Sequence, residues 1–190
     1  METFDYISVM ISIVLGLGIA NMFGTIGILI RNKEKVVHSI TFYLHCTFIT
    51  LLMFQGWWTV FGYKDYTNWN FFFYLLILIL ISLIYLMTEM LKVNENLEVI
   101  DLDKIFLKNK TLFLIIFIVS VFCGAIIQSI VTDSSIFTKV NILRGLIVLF
   151  SLWGVFSNSL RVQKLVAFAL LFLFAIVIVV YRLNLGELSQ

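Results

Sequence analysis

No charged residue stands between Tyr6 and Ile30. Within that stretch a small residue recurs at every fourth position: Ser8, Ser12, Gly16, Ala20 and Gly24. Positions four apart on a helix lie one above the other, so these five form one narrow groove. About 20 apolar residues cross a bilayer, which makes the stretch a transmembrane helix. Lipid supplies little hydrophobic drive between helices, and small residues let two backbones approach until van der Waals contact replaces it. The groove is therefore expected to seat a neighbouring helix of the same chain, with a subunit interface as the alternative.

Five more apolar runs follow. Apolar residues make up 62% of the 190 positions and charged ones 13%, against roughly half and a quarter in soluble domains. The fold class this implies is all-α, a single integral membrane bundle of six transmembrane helices at about 6–30, 36–61, 70–91, 111–132, 140–160 and 165–181. Segment 92–110 alternates Leu97, Ile100, Leu102, Ile105, Phe106 and Leu107 with Glu95, Glu98, Asp101, Asp103 and Lys104. It reads as a cytoplasmic amphipathic connector that lies along the inner membrane surface or caps helix ends. The start of the chain, with Glu2 and Asp5 and no basic region, reads as a mature helix and not as a signal peptide. A net charge of +2 gives no reason to expect nucleic acid as a partner. The absence of proline implies straight helices, with flexing left to glycine.

Loop charge sets the expected orientation. Arg31, Lys33, Lys35, Lys92, Lys104, Lys108, Lys110, Arg161 and Lys164 fall in the first, third and fifth connections. The other side holds Lys64, Lys139, Arg144 and Arg182. Basic residues stay in the cytoplasm, so both termini are expected outside. Trp57, Trp58, Tyr63, Tyr66, Trp69 and Tyr74 cluster around the second connection, where amphipathic rings anchor at headgroups, with a stacking platform for a ligand as the alternative.

Polar groups are costly in hydrocarbon and turn toward the protein interior or a water-filled path. His38, His45 and Gln55 share a stripe on the second helix, and Tyr85 and Glu89 stand on the third. Gln128 continues a four-residue step from Ser120 and Gly124, while Arg144, Ser151 and Asn158 step by seven on the fifth. The orientation puts Gln55, Thr59, Gln128 and Arg144 near the outer face, and His38, Glu89 and Asn158 near the inner one. Three readings follow: interhelical hydrogen bonds, a solvated cavity or conduction path, or a pH-sensing pair of His38 and Glu89. A blander alternative leaves Glu89 in headgroup water and His38 capping the second helix. The sixth helix offers nothing polar between Val166 and Val180, which puts it at the periphery or in a subunit contact.

Two histidines on one helix cannot clamp a haem from both sides, and a zinc site would need ligands gathered from several helices. No hydrolase, metalloprotease or P-loop motif occurs. No cofactor, metal or catalytic residue is therefore expected. A lipid-modifying enzyme stands as a distant third class of function.

Tyr6-Ile-Ser8, Val14-Leu-Gly-Leu-Gly-Ile19, Arg31, His38 and Gln55-x-Trp57-Trp58 together resemble a family of small bacterial polytopic membrane proteins. The resemblance covers the first two helices and the spacing of the rest. It implies a bacterial inner-membrane location and assigns no functional residue.

The expected function is non-enzymatic: a channel-like or ligand-binding cavity lined by the polar stripes, in a protein contacting membrane lipids and able to form a homo-oligomer. The alternative is a scaffold or sensor that signals to a cytoplasmic protein partner through segment 92–110. Topology is checked by reporter fusions in the loop at Lys33 and at Gln190. A cytoplasmic signal at Lys33 and an external one at Gln190 are expected; a cytoplasmic C-terminus would overturn the orientation.

Overall fold

The structure, a computed structural model, describes residues 3–64, 66–132 and 139–181. Residues 182–190, among them Arg182 of the charge count and Gln190, lie outside the described residues. Those described form helices α1 (Thr3–Arg31), α2 (Ile40–Phe61), α3 (Phe71–Met90), α4 (Leu102–Thr132), α5 (Lys139–Phe156) and α6 (Leu160–Tyr181). Five of them are long and apolar enough to cross a membrane, and α5 is a shorter apolar helix. Large apolar side chains stand out on the bundle's exterior, among them Leu17, Phe23, Phe72, Leu149 and Phe172. Such a surface suits hydrocarbon and not water.

Polar side chains start the helices where the sequence changes character. The Ser39 hydroxyl accepts the Phe42 N–H, and the Asn70 side chain accepts that of Phe73. Each satisfies one of the orphan donors at a helix start. At α4 the Asp101 carboxylate accepts the Lys104 N–H at 3.1 Å. α4 therefore begins about nine residues before the expected 111. Residues 102–110 are not a surface connector, because Leu102, Phe106 and Lys110, spaced four apart, are buried on one face of the helix. The second helix likewise begins at Ile40 and not at 36. Val36–Val37 (β1) instead pairs in parallel with Ile100–Asp101 (β2), and Ser39 donates to the Asp103 carboxylate.

The helices alternate in direction. Phe4 packs on Phe61 and Trp69, which gathers the start of α1, the end of α2 and the start of α3 at one end. At the other end Arg31 meets Glu95, Asn109 donates to the Met90 carbonyl, and Lys110 reaches the end of α5. Side by side, the six close a ring in the order α1, α3, α4, α5, α6, α2 and back to α1. α6 is thus no peripheral element. Val166, Ala167, Leu170, Leu173 and Phe174 are buried along it, and Phe174 packs edge-on against Phe48 of α2 at 5.7 Å.

The small-residue groove seats no helix of this chain at Gly16, Ala20 or Gly24, although Trp57 of α2 donates to the Ser12 hydroxyl at 3.2 Å. α1 buries Ile7, Ile11, Leu15, Gly18, Met22, Thr25 and Leu29, while Ser12, Gly16, Ala20 and Gly24 are exposed. A Cβ added at Gly16 or Gly24 would meet nothing within 4 Å. Larger side chains offer more dispersion contacts to a neighbouring helix, so the internal seam took the bulky stripe. The glycine needed for close approach is Gly18, where a Cβ would lie 2.7 Å from Met53 Sδ and 3.9 Å from the Tyr85 Cα. It falls outside the four-residue repeat. Gly18→Leu should destabilise the protein by about 1–3 kcal/mol, read as thermal melting in detergent, and Gly16→Leu should leave the monomer's melting unchanged. Equal melting of the two variants would remove this assignment of the packing face.

Asp101 supplies a pH dependence outside the spanning helices. Its carboxyl is held below the usual aspartate value, first by the Lys104 N–H and then by the Lys104 ammonium at 3.2 Å. A depressed folded-state pKa adds stability above the unfolded value that disappears as pH falls through the folded one. Asparagine keeps the cap without the charge. Asp101→Asn should therefore melt earlier than wild type at pH 6, with the gap closing toward pH 3.

Candidate functional site

The two ends of the ring are built differently. In the half that holds the end of α2 and the start of α3, a cavity of about 170 Å³ opens between α2, α3, α4, α5 and α6. Its wall is apolar, from residues such as Leu52, Ile77, Ile81, Ile84, Ile127 and Ile147. The space exists because Gly56, Ser120 and Gly124 stand where larger side chains would have filled it. A Cβ on Gly124 would meet nothing within 4 Å, and one on Gly56 only the Ile81 and Ile84 methyls at 3.7 Å. Interiors normally pack without voids of this size.

The rim is polar. Arg144 donates from Nη1 to the Asn141 side-chain oxygen at 2.7 Å and from Nη2 to that of Gln128 at 2.5 Å. These contacts hold the guanidinium, which stands on the second turn of α5 and lines the cavity. Gln55 donates to the Thr59 hydroxyl at 3.2 Å, and both line the cavity with Tyr63.

Toward the other end the ring is sealed by aromatic packing. Phe48, fully buried, wedges between Phe117 at 5.0 Å and Phe174 at 5.7 Å, two residues that also line the cavity. One turn further, His45 lies against Phe106 at 4.2 Å and edge-on to Phe113 at 5.5 Å. Its Nδ1 must carry the proton, since it donates to the Thr41 carbonyl at 2.9 Å. The other ring nitrogen is buried with no hydrogen-bond partner among the described residues. Ser151, also buried, donates to the Ile147 carbonyl of its own helix.

The polar stripes therefore do not run as one seam. Tyr85 and Glu89 belong to a separate tie between α1 and α3. Asn21 donates to Glu89 at 2.5 Å and to the Thr88 hydroxyl at 3.2 Å, the Tyr85 hydroxyl donates to Glu89 at 3.1 Å, and Lys92 reaches the second carboxylate oxygen at 3.3 Å. His38 is not a partner of Glu89. It lies exposed before α2, with its Nδ1 at 2.5 Å from the Tyr43 hydroxyl, and Ser39 caps the helix in its place. Asn158 is exposed in the connection between α5 and α6, two residues beyond the end of α5.

Two buried polar residues were hidden in runs that read as loops. Lys110 donates from its ammonium to the carbonyls of Gly154 at 3.2 Å and Val155 at 2.9 Å, and Gln163 donates to those of Gly154 and Ser157 at 2.7 and 2.6 Å. The last carbonyls of a helix lack partners within it and carry its negative dipole, which a cation there offsets. Their charged and polar neighbours masked them in the sequence; only the spacing Leu102, Phe106, Lys110 marked the lysine as inward. A groove of about 300 Å³ also lies between α1 and α2, with Met22, Thr25, Phe42 and Cys46 in its wall. Among the described residues no three His, Cys, Asp or Glu side chains gather as a metal site.

Compared with known proteins, the chain matches no family model, no curated protein and no solved structure.

The Asn21–Glu89 tie is checked by a double-mutant cycle with Asn21→Ala and Glu89→Gln in thermal melts. A coupling of about 0.6–1.7 kcal/mol is expected, the range for hydrogen bonds between membrane helices. His38→Gln combined with Glu89→Gln should be additive within about 0.5 kcal/mol.

Proposed function

We propose that the chain is a six-pass, non-enzymatic protein of a bacterial inner membrane, with both termini outside and a ligand-binding cavity open toward the outer face. The observation that carries this reading is the cavity itself: an apolar hollow inside a closed helix ring, rimmed by Gln55, Thr59 and Arg144 and floored by Phe48, Phe117 and Phe174. Pockets with apolar walls and a few convergent polar groups are where proteins take small ligands. Nine basic residues gather toward the sealed end, in the connections there, at the end of α1 or in the early turns of α4 and α6, and support its assignment to the cytoplasm. α5 spans with the others: its 18 residues reach about 27 Å, close to the hydrocarbon thickness. Membrane lipids cover the apolar exterior, and a second copy would seat on the exposed Gly16, Ala20 and Gly24 face.

A second reading, a scaffold or sensor with a cytoplasmic protein partner, is favoured by one observation. Val37, Leu97 and Val99 are exposed around the β1–β2 pair, an apolar patch at the end assigned to the cytoplasm.

Thiol accessibility distinguishes the cavity. In a background with Cys46→Ala and Cys123→Ala, the Gly124→Cys thiol should react with a membrane-impermeant reagent added outside, and not with the same reagent added inside. Protection from both sides, or equal reaction from both, would overturn the outward-opening cavity.

A further inference from the structure

Resting on that cavity reading, we propose that the ligand is a small uncharged molecule of hydrocarbon character, about the size of benzene, held by apolar contact alone. It lies against Gly124, Gly56 and the isoleucines of the wall.

Size, polarity and position each bear on the ligand. An apolar cavity of about 150 Å³ takes up benzene, so the roughly 170 Å³ here suits a molecule of similar bulk. Atoms that face a void lack contact partners on that side, and an occupant restores the lost dispersion. That gain remains in a membrane, where passage from lipid into protein brings no hydrophobic drive.

The wall asks for no polar group. Among the described residues the buried side-chain polar atoms without a partner belong to Thr25, His45 and Gln163, and none of the three lines the cavity. Deep in the hollow the Ser120 hydroxyl donates to the Phe117 carbonyl at 2.7 Å. At the rim Gln55 holds Thr59, and Arg144 holds Asn141 and Gln128. Each of these polar groups already has a partner in the protein. A hydroxyl or carboxylate carried inside would shed its hydration against isoleucine methyls, at the cost of an unmade hydrogen bond.

Position separates a free molecule from a lipid tail. The ends of acyl chains meet at the bilayer midplane, and toward that side Phe48, Phe117 and Phe174 floor the cavity. A tail would have to enter past the polar rim, against the direction in which its lipid is anchored.

The probes are para-fluorotoluene, para-fluorophenol and para-fluorobenzoate, followed by fluorine NMR with the full chain in nanodiscs. Their concentrations are expressed per lipid, which removes the partition of each probe into the bilayer. Fluorotoluene is expected to give a saturable bound signal that empty nanodiscs lack. It should bind at least about tenfold tighter than the phenol or the benzoate, as the loss of one hydrogen bond on entry implies. Gly124→Phe should abolish the signal. Saturating fluorotoluene should also slow alkylation of the Gly124→Cys thiol severalfold in the background with Cys46→Ala and Cys123→Ala. Exchanging straight-chain lipid for phytanoyl lipid, whose methyl-branched chains are too bulky for the hollow, separates the two sources of hydrocarbon. Equal affinity in the two lipids supports a free molecule. Tighter binding in the branched lipid means that bilayer chains compete for the cavity, and it overturns the free molecule.

If Gly124→Phe binds fluorotoluene as wild type does, the molecule sits elsewhere and the cavity reading fails with the proposal. If Gly124→Phe abolishes binding but the phenol or benzoate matches fluorotoluene in wild type, the cavity stands and the apolar class is overturned. No saturable signal from any probe also overturns that class. Should Gly124→Phe fail to fold, thiol protection and the contrast among the three probes in wild type still decide.

Discussion

In hydrocarbon a helix gains nothing from merely hiding apolar surface, because the lipid it leaves is as apolar as the protein it joins. What remains is close contact and the hydrogen bond, and the whole ring depends on where those two are made. Gly18 lets α1 lie against Met53 and the Tyr85 backbone, and three residues later Asn21 reaches Glu89 and Thr88. Contact and hydrogen bond thus fall on one turn of α1. The same pairing recurs across the ring. Gly154 is another tight glycine, with a Cβ position 2.7 Å from a Leu114 methyl, and its carbonyl accepts from Lys110 and Gln163. Two such locks near the basic end hold α1 to α3 and α4 to α5 and α6.

Among the described residues of the opposite half, no tight glycine contact is joined to a hydrogen bond in this way, and there the ring opens into the cavity. Its side chains at the axis are Gly56, Ser120 and Gly124 where the basic half has Phe48, Phe106 and Phe113. The change from small to aromatic residues along α2 and α4 makes a hollow above and a plug below. His45 is part of the plug, packed between two phenylalanines, and the fit of its ring there does not depend on a charged partner.

Helix number and alternation were legible in the sequence because charge-free runs and short polar breaks are long, redundant signals. Which residues share an end was legible too: counting along the runs sets Gln55, Thr59, Gln128 and Arg144 at one end, and the structure holds them at one end. Which face turns inward was not legible. A lipid-facing side of Leu, Ile and Phe looks like a protein-facing one, so Ser12, Gly16, Ala20 and Gly24 could be read as a seam although they face outward. The pairing of His38 with Glu89 failed for a related reason. Similar depth says nothing of azimuth, and Glu89 turns toward α1 while His38 precedes its helix. Helix starts were obscured wherever charges crowd. Asp103, Lys104 and Lys108 resemble a loop, yet Asp101 caps them into α4.

The order of the ring, in which α6 closes against α2, has a consequence for biosynthesis. Chains emerge N-terminus first, and the cavity draws part of its wall from α5 and α6, including Arg144 and Phe174. While those helices are still on the ribosome, α2, α3 and α4 present the same glycines and isoleucines as an open trough to whatever lies beside them. Only the arrival of α5 and α6 encloses that trough. The pocket is therefore a late product of the chain, complete only when its last helix has docked.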